Sequence, residues 1–211
     1  MRVYMLEIRK FRGFDLAQIL PAGHVLLCGE PGAGRSDVIE ALDRVLSPDS
    51  TRTRLPSDLD FYRRDTGQRA EVEVVLGALG DELEQLFFDH LEVWDHKTRQ
   101  LVDEQADPAA LDRDRYDLVV RLCYRARWDP KEEQGEHWVD YAKTADPDAD
   151  YFERLSRTER ERLPFAAVDA RSRPLDIGTR GVFRRLVEAS AGGDFSKALA
   201  RSSIRLQIVT C

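Results

Sequence analysis

The chain has 211 residues, of which 42% are hydrophobic and 34% are charged, and its formal net charge is −7. This composition predicts a soluble globular protein with one good core or two small ones. No apolar stretch approaches the length of a membrane span, and the N-terminus lacks the long apolar region of a signal peptide. The three cysteines are scattered and odd in number, which argues against a disulfide framework and predicts a reducing, cytoplasmic location.

Charge is distributed unevenly along the chain. Residues 71–150 contain 9 Lys and Arg against 22 Asp and Glu, whereas residues 151–211 contain 12 against 7. This asymmetry suggests that the C-terminal part faces an anionic partner such as DNA. The alternative is that its arginines only keep the exposed faces of helices solvated. The arginines that we expect to carry any DNA contact are Arg171, Arg173, Arg184 and Arg185.

The first predicted elements are a β-hairpin and a further strand. Alternating side chains predict a strand over residues 2–11 and a return strand over residues 16–20, with the turn at residues 11–14. Residues 21–23 end the hairpin. The short apolar run of residues 25–28 then predicts a buried parallel strand.

A glycine-rich loop follows this run and leads into a predicted helix. Apolar side chains at helical spacing over residues 38–46 predict the helix. Loops in this context bind phosphate, because their N–H groups and the helix N-terminus converge on an anion. The alternative is a glycine-rich turn without a ligand. The loop residues are Gly29, Glu30, Pro31, Gly32, Ala33, Gly34, Arg35 and Ser36.

The loop matches the phosphate-loop pattern G-x-x-x-x-G-K-[ST] with one difference. Arg35 stands where a lysine is usual; its charge favours phosphate, but its planar fork requires a different geometry. Ser36 is placed to put its hydroxyl on a nucleotide-bound Mg²⁺. The pattern therefore predicts that the loop, extended to Asp37, binds ATP and Mg²⁺, while Arg35 argues against efficient hydrolysis.

The middle of the chain is predicted to be rich in strands. Residues 51–69 are basic and turn-rich and are predicted to form a loop with a short helical piece. A half-exposed strand is predicted over residues 71–76. An amphipathic helix over residues 81–91 precedes a strand and turn over residues 92–101. Residues 102–115 have no strong pattern and are predicted to form a mobile loop.

The clearest alternation covers residues 118–128, and residues 138–143 are predicted to return as the paired strand. Arg121, Arg125 and Arg127 share one face of the first strand. Such arginines contact nucleic acid in some proteins, but solvent-facing arginines opposite acidic neighbours are commoner.

Further elements are predicted towards the C-terminus. The capping box Ser156-Arg157-Thr158-Glu159 predicts the start of a short helix. An apolar strand over residues 165–169 and a helix over residues 181–190 follow.

Three stretches together resemble a known family: residues 6–14, residues 26–36 and residues 39–42. They resemble the N-terminus of RecF/SMC-type ATPase heads of the ABC class, and within that group the OLD-family ATPases, which are ATP-dependent nucleases of DNA repair and phage defence. The resemblance implies an α/β fold, with a P-loop NTPase core of the ABC-ATPase-head type and an antiparallel β-rich lobe. It also implies that Arg12 lies near the nucleotide, and that a homodimer or a partner chain supplies the rest of the head.

Several motifs of that family are not found. No Walker B Asp-Glu pair, signature motif, switch histidine or set of Toprim carboxylates is visible. Asp169 ends the apolar run of residues 165–169 as a substitute Walker B carboxylate would, but Ala170 provides no general base. We therefore expect an N-terminal head lobe that is incomplete for hydrolysis alone, whether as a fragment, a truncated product or one subunit of a split head.

The expected organisation is a phosphate-loop core at residues 1–64, a β-rich acidic portion at residues 65–150 and an arginine-rich portion at residues 151–211. One alternative is a degenerate, non-catalytic head that dimerises or docks a partner. Another is a nucleoside or phosphate kinase, which is disfavoured because two strands precede the loop.

Overall fold

The computed structural model describes residues 1–48, 50, 54–102 and 112–165. The chain divides into two units, Met1–Leu163 and Pro164–Cys211. The first unit is a mixed α/β structure in which a curled antiparallel sheet is accompanied by few helices. The strand predicted at residues 165–169 lies outside the described residues except for Phe165, and the helix predicted at residues 181–190 lies wholly outside them, as do the four C-terminal arginines named above.

Seven strands form the sheet, and every pair of neighbours is antiparallel. The order is β2-β1-β3-β6-β4-β5, and β7 also pairs with β6. The strands are β1 Arg2–Phe11, β2 Phe14–Ile19, β3 Ala70–Gly77, β4 Leu91–Asp95, β5 Gln100–Val102, β6 Tyr116–Asp129 and β7 Gln134–Tyr141.

The long strand β6 organises this sheet. One edge pairs with β3, and the other edge is shared by β4 and β7. The change of partner falls between Val120, which lies opposite Leu91, and Leu122, which lies opposite Tyr141. The predicted strand and its return partner are therefore confirmed.

Strand β3 is also confirmed, but it is more buried than a half-exposed strand would be. It lies in the interior of the sheet, between β1 and β6. Val72, Val74, Val75 and Leu76 are fully buried, which places apolar side chains on both faces. In the sequence of β3, valines alternate with glutamates, and this pattern gives no sign that the glutamate-bearing face of the strand is also covered.

Within the described residues, three α-helices and three short 3-10 turns accompany the sheet. Helix α1 packs over β1, β3 and β6, and its residues Val38, Ala41 and Val45 are buried. The capping box of α3 is confirmed, because the Ser156 hydroxyl accepts from the Glu159 amide at 3.2 Å. The elements are α1 Arg35–Leu46, α2 Asp81–Leu86, α3 Arg157–Glu161 and the 3-10 turns Asp58–Asp60, Tyr62–Arg64 and Phe88–His90.

The helix predicted over residues 81–91 is shorter in the structure. Helix α2 ends at Leu86, and a 3-10 turn leads into β4. Leu91 is the first residue of β4 and lies opposite Val120 of β6. Pairing with the long central strand thus outweighs the helical spacing of the apolar residues.

The buried parallel strand predicted at residues 25–28 is wrong. These residues belong to no strand, and Val25 and Leu26 are 52% and 86% exposed. A parallel strand needs a neighbour that satisfies its backbone groups, and no described strand lies beside this run. The loop that follows is therefore supported by helix α1 and the β1–β2 hairpin.

Candidate phosphate-binding site

The glycine-rich loop makes a tight turn directly before helix α1. The Ala33 amide donates to the Glu30 carbonyl at 3.0 Å, and Gly32 and Gly34 have positive φ angles of 86° and 84°. The helix then begins at Arg35. Loop and helix start are thus arranged in the order that the sequence predicts.

Gly34 is required by a close approach as well as by its backbone angle. A Cβ atom at this position would lie 2.8 Å from the Phe14 ring, a distance at which one group has to move. Phe14 is the first residue of β2. The hairpin therefore supports the loop from one side.

The N-terminus of α1 offers hydrogen-bond donors without internal acceptors. The first helical hydrogen bond runs from the Val38 amide to the Gly34 carbonyl, and Gly34 has no side chain to cap the earlier amides. The amides of Arg35, Ser36 and Asp37 are thus available to an external acceptor. Together with the helix dipole they favour an anion.

Arg35 and Ser36 are both exposed at this end of the helix. Neither side chain forms an ion pair or hydrogen bond with any described residue. A guanidinium is always charged, and without a carboxylate partner its donors are free to bind an anionic ligand. Glu30, Pro31 and Ala33 are exposed in the loop itself, so all eight loop residues lie on one continuous surface stretch.

Arg12 and Asp37 lie together on the side of α1 that faces the hairpin. The Arg12 Nη1 atom is 3.3 Å from Asp37 Oδ1, and Nη2 is 3.6 Å from Glu40 Oε1. Burial opposes the Arg12 charge, but the hydrogen bond to Asp60 and the neighbouring carboxylates raise the pKa of this guanidinium. Arg12 is therefore close to the loop but already neutralised by protein carboxylates.

A buried carboxylate joins Arg12 to a second arginine, and sequence analysis missed both partners. Asp60 accepts from Arg12 Nε at 2.9 Å and from Arg44 Nη2 at 3.3 Å. Arg44 is also buried and bonds Glu40 within α1 at 3.1 Å. Asp60 belongs to the stretch predicted as a turn-rich loop, where a buried charge has no sequence signal.

A cavity of about 1260 Å³ lies beside the loop. Arg35 and Ser36 line it together with Val38 of the helix and with Tyr4 and Trp94 of the sheet. The charged side chains around it are Arg2, Arg35 and Arg99, and no carboxylate is among the described lining residues.

The arginines of β6 form ion pairs with carboxylates. Arg121 pairs with Glu92 at 2.7 Å, and Arg127 pairs with Glu136 at 2.8 Å. The prediction of acidic neighbours is confirmed, but Arg125 is buried rather than facing solvent. It pairs with the buried Asp140 at 2.8 Å and also with Glu71. A nucleic-acid contact through this row would have to break these pairs.

The described residues offer little for a metal besides Ser36. In the ranges that the structure covers, no group of three or more His, Cys, Asp or Glu side chains is placed to hold an ion. Mg²⁺ commonly keeps several waters and binds through substrate phosphates with few protein ligands. The exposed Ser36 hydroxyl therefore fits a Mg²⁺ that arrives with a nucleotide.

Comparison with protein-family models gave no match, and comparison with curated proteins gave none either. Within the described part of the chain, no helix is both long enough and apolar enough to cross a membrane.

Proposed function

We propose that the chain binds ATP with Mg²⁺ through residues 29–37. The observation that carries this proposal is the N-terminus of α1, where open amides and an exposed Ser36 follow a tight glycine loop and where Arg35 has no ion-pair partner among the described residues. The amides would hold phosphate oxygens, Arg35 would neutralise their charge, and Ser36 would ligate Mg²⁺.

We further propose that this is the ATP-binding domain of an OLD/RecF/SMC-like protein that acts on DNA, with a P-loop core of the ABC-head type. The sequence resemblance and the loop-to-helix geometry support this class. Arg12 would act here by neutralising Asp37 rather than by a free contact with phosphate, because three carboxylates already surround it. Hydrolysis by the chain alone would be slow or absent, since no Walker B pair is found in its sequence.

Binding is tested by thermal unfolding with and without millimolar Mg-ATP. A ligand at a hundredfold excess over its Kd stabilises the folded state by about 2.7 kcal/mol. Ser36→Ala and Arg35→Ala should reduce this stabilisation. Arg64→Ala removes the same charge from another exposed arginine and should leave the shift intact. The absence of any shift in the parent chain would contradict the proposal.

A second candidate function is a non-catalytic module that docks a partner chain. It is favoured by the exposed apolar run, in which Leu26 is 86% exposed, and by Ile39, which is half exposed on α1. Exposed apolar patches often mark interaction sites. Light scattering of the parent and of Leu26→Glu tests it: self-association or partner binding that the variant loses would support this candidate.

A further inference from the structure

We propose that Asp60 is a positioning residue for the phosphate-binding loop, and this rests on the function proposed above. Asp60 would hold the Arg12 guanidinium against the first turn of α1, where it neutralises Asp37. Asp60 itself lies in a separate 3-10 turn, where it forms a capping box with Ser57.

Asp60 is fixed by more contacts than one ion pair requires. It is 3% exposed, and its carboxylate accepts from Arg12 Nε, from Arg44 Nη2 and from the Ser57 amide at 2.9, 3.3 and 3.2 Å. Its own carbonyl accepts the Arg12 amide at 3.0 Å. Backbone and side chain of Arg12 are thus both bound to the same residue.

Arg12 is held in a conformation that it would rarely adopt alone. Its φ angle is +49°, a left-handed value that is uncommon for residues other than glycine. With Nε bound to Asp60, the other end of the guanidinium reaches Asp37 at 3.3 Å. The planar fork presents separate donors to the two carboxylates in a fixed geometry, which the single ammonium of a lysine does not reproduce.

The charge of Asp37 is the reason that this arrangement matters for an anion. Asp37 is the third residue of α1, so its carboxylate lies in the same first turn whose amides would hold phosphate. An unneutralised carboxylate there would repel the ligand. At separations of several ångströms near a protein surface, such repulsion is large enough to weaken binding about tenfold.

The test compares two buried carboxylates that each bind an arginine. Asp60→Asn removes the charge that holds Arg12. Asp140→Asn is the matched control. Asp140 lies on β7, away from the loop, is fully buried, and accepts a hydrogen bond from Arg125 Nε at 2.8 Å. We expect both variants to be less stable, but only Asp60→Asn to raise the Kd for Mg-ATP, by about tenfold.

Arg12→Lys provides a second variant if Asp60→Asn fails to fold. It keeps the positive charge but lacks the fork that binds Asp60 through Nε and Asp37 through Nη1, so the same loss of affinity is expected. Unchanged affinity in this variant, or in a folded Asp60→Asn, would overturn the proposal. Equal losses in Asp60→Asn and Asp140→Asn would also overturn it.

Amide hydrogen exchange in the nucleotide-free protein separates this proposal from the proposed function. Faster exchange at residues 38–41, the first α1 amides with acceptors inside the helix, in Asp60→Asn but not in Asp140→Asn supports positioning. If the parent chain binds no nucleotide, that absence contradicts only the ATP-binding proposal. Unchanged exchange together with absent nucleotide binding would refute both.

Discussion

Alanine at Gly34 is expected to destabilise the protein more than alanine at Gly32. Both glycines have left-handed backbones, with φ of 84° and 86°, and an L-residue there costs about 1–2 kcal/mol. At Gly34 the added Cβ would lie 2.8 Å from the tip of the Phe14 ring, whereas at Gly32 no atom of the described residues lies within 4 Å of it. Overpacking typically costs about 1–3 kcal/mol. We take the lower end, about 1 kcal/mol, because the half-exposed Phe14 ring can rotate away.

We therefore expect Gly34→Ala to lower the free energy of unfolding by about 2–3 kcal/mol and Gly32→Ala by about 1–2 kcal/mol. Urea denaturation followed by tryptophan fluorescence measures both losses. In a Phe14→Leu background, Gly34→Ala should cost no more than Gly32→Ala, because the ring contact is gone. Equal losses in the parent background, or a difference that persists without the ring, would refute the close approach between loop and hairpin.

Three further predictions concern charged groups. The hydrogen bond from Arg115 lowers the pKa of Asp95 to about 2, below the value of this carboxyl in an unfolded chain. The ionised Asp95 therefore stabilises the folded protein above about pH 4, and this contribution is lost as the pH falls towards 2. Acid unfolding of Asp95→Asn should lack this loss. Arg125→Met leaves a buried carboxylate unpaired and should cost about 3–5 kcal/mol, whereas Arg127→Met, in an exposed pair, should cost at most about 1 kcal/mol in the same denaturation assay. Arg35→Lys should tighten Mg-ATP binding in a titration, and a clear loss of affinity would show a loop adapted to arginine.

Strands were predictable from sequence where apolar and polar side chains alternate clearly and where a neighbouring strand pairs with them in the structure. Strand β6 shows this best, because its apolar side chains alternate over its whole length and β7 returns beside it. Residues 25–28 have an equally apolar sequence, but a strand also needs a neighbour, and none of the described strands provides one. Burial of both faces was likewise invisible, so the burial of Arg125 was missed.

The candidate site was partly predictable for a related reason. The loop and the start of α1 are encoded locally, by glycines at fixed spacing and a helical pattern. The contact between Arg12 and Asp60 joins residues 48 positions apart, and no local pattern specifies it. Asp60 becomes recognisable only when the fold brings the hairpin, α1 and the 3-10 turn together.

The most direct test of nucleotide binding uses Cys28, which is exposed and immediately precedes the loop. In a Cys211→Ser variant, alkylation should report Cys28 alone, because burial raises the pKa of the Cys123 thiol and keeps it unreactive. The account predicts that saturating Mg-ATP slows alkylation of Cys28, and that Ser36→Ala weakens this protection. An alkylation rate that is the same with and without Mg-ATP would contradict the assignment of residues 29–37 as a nucleotide site.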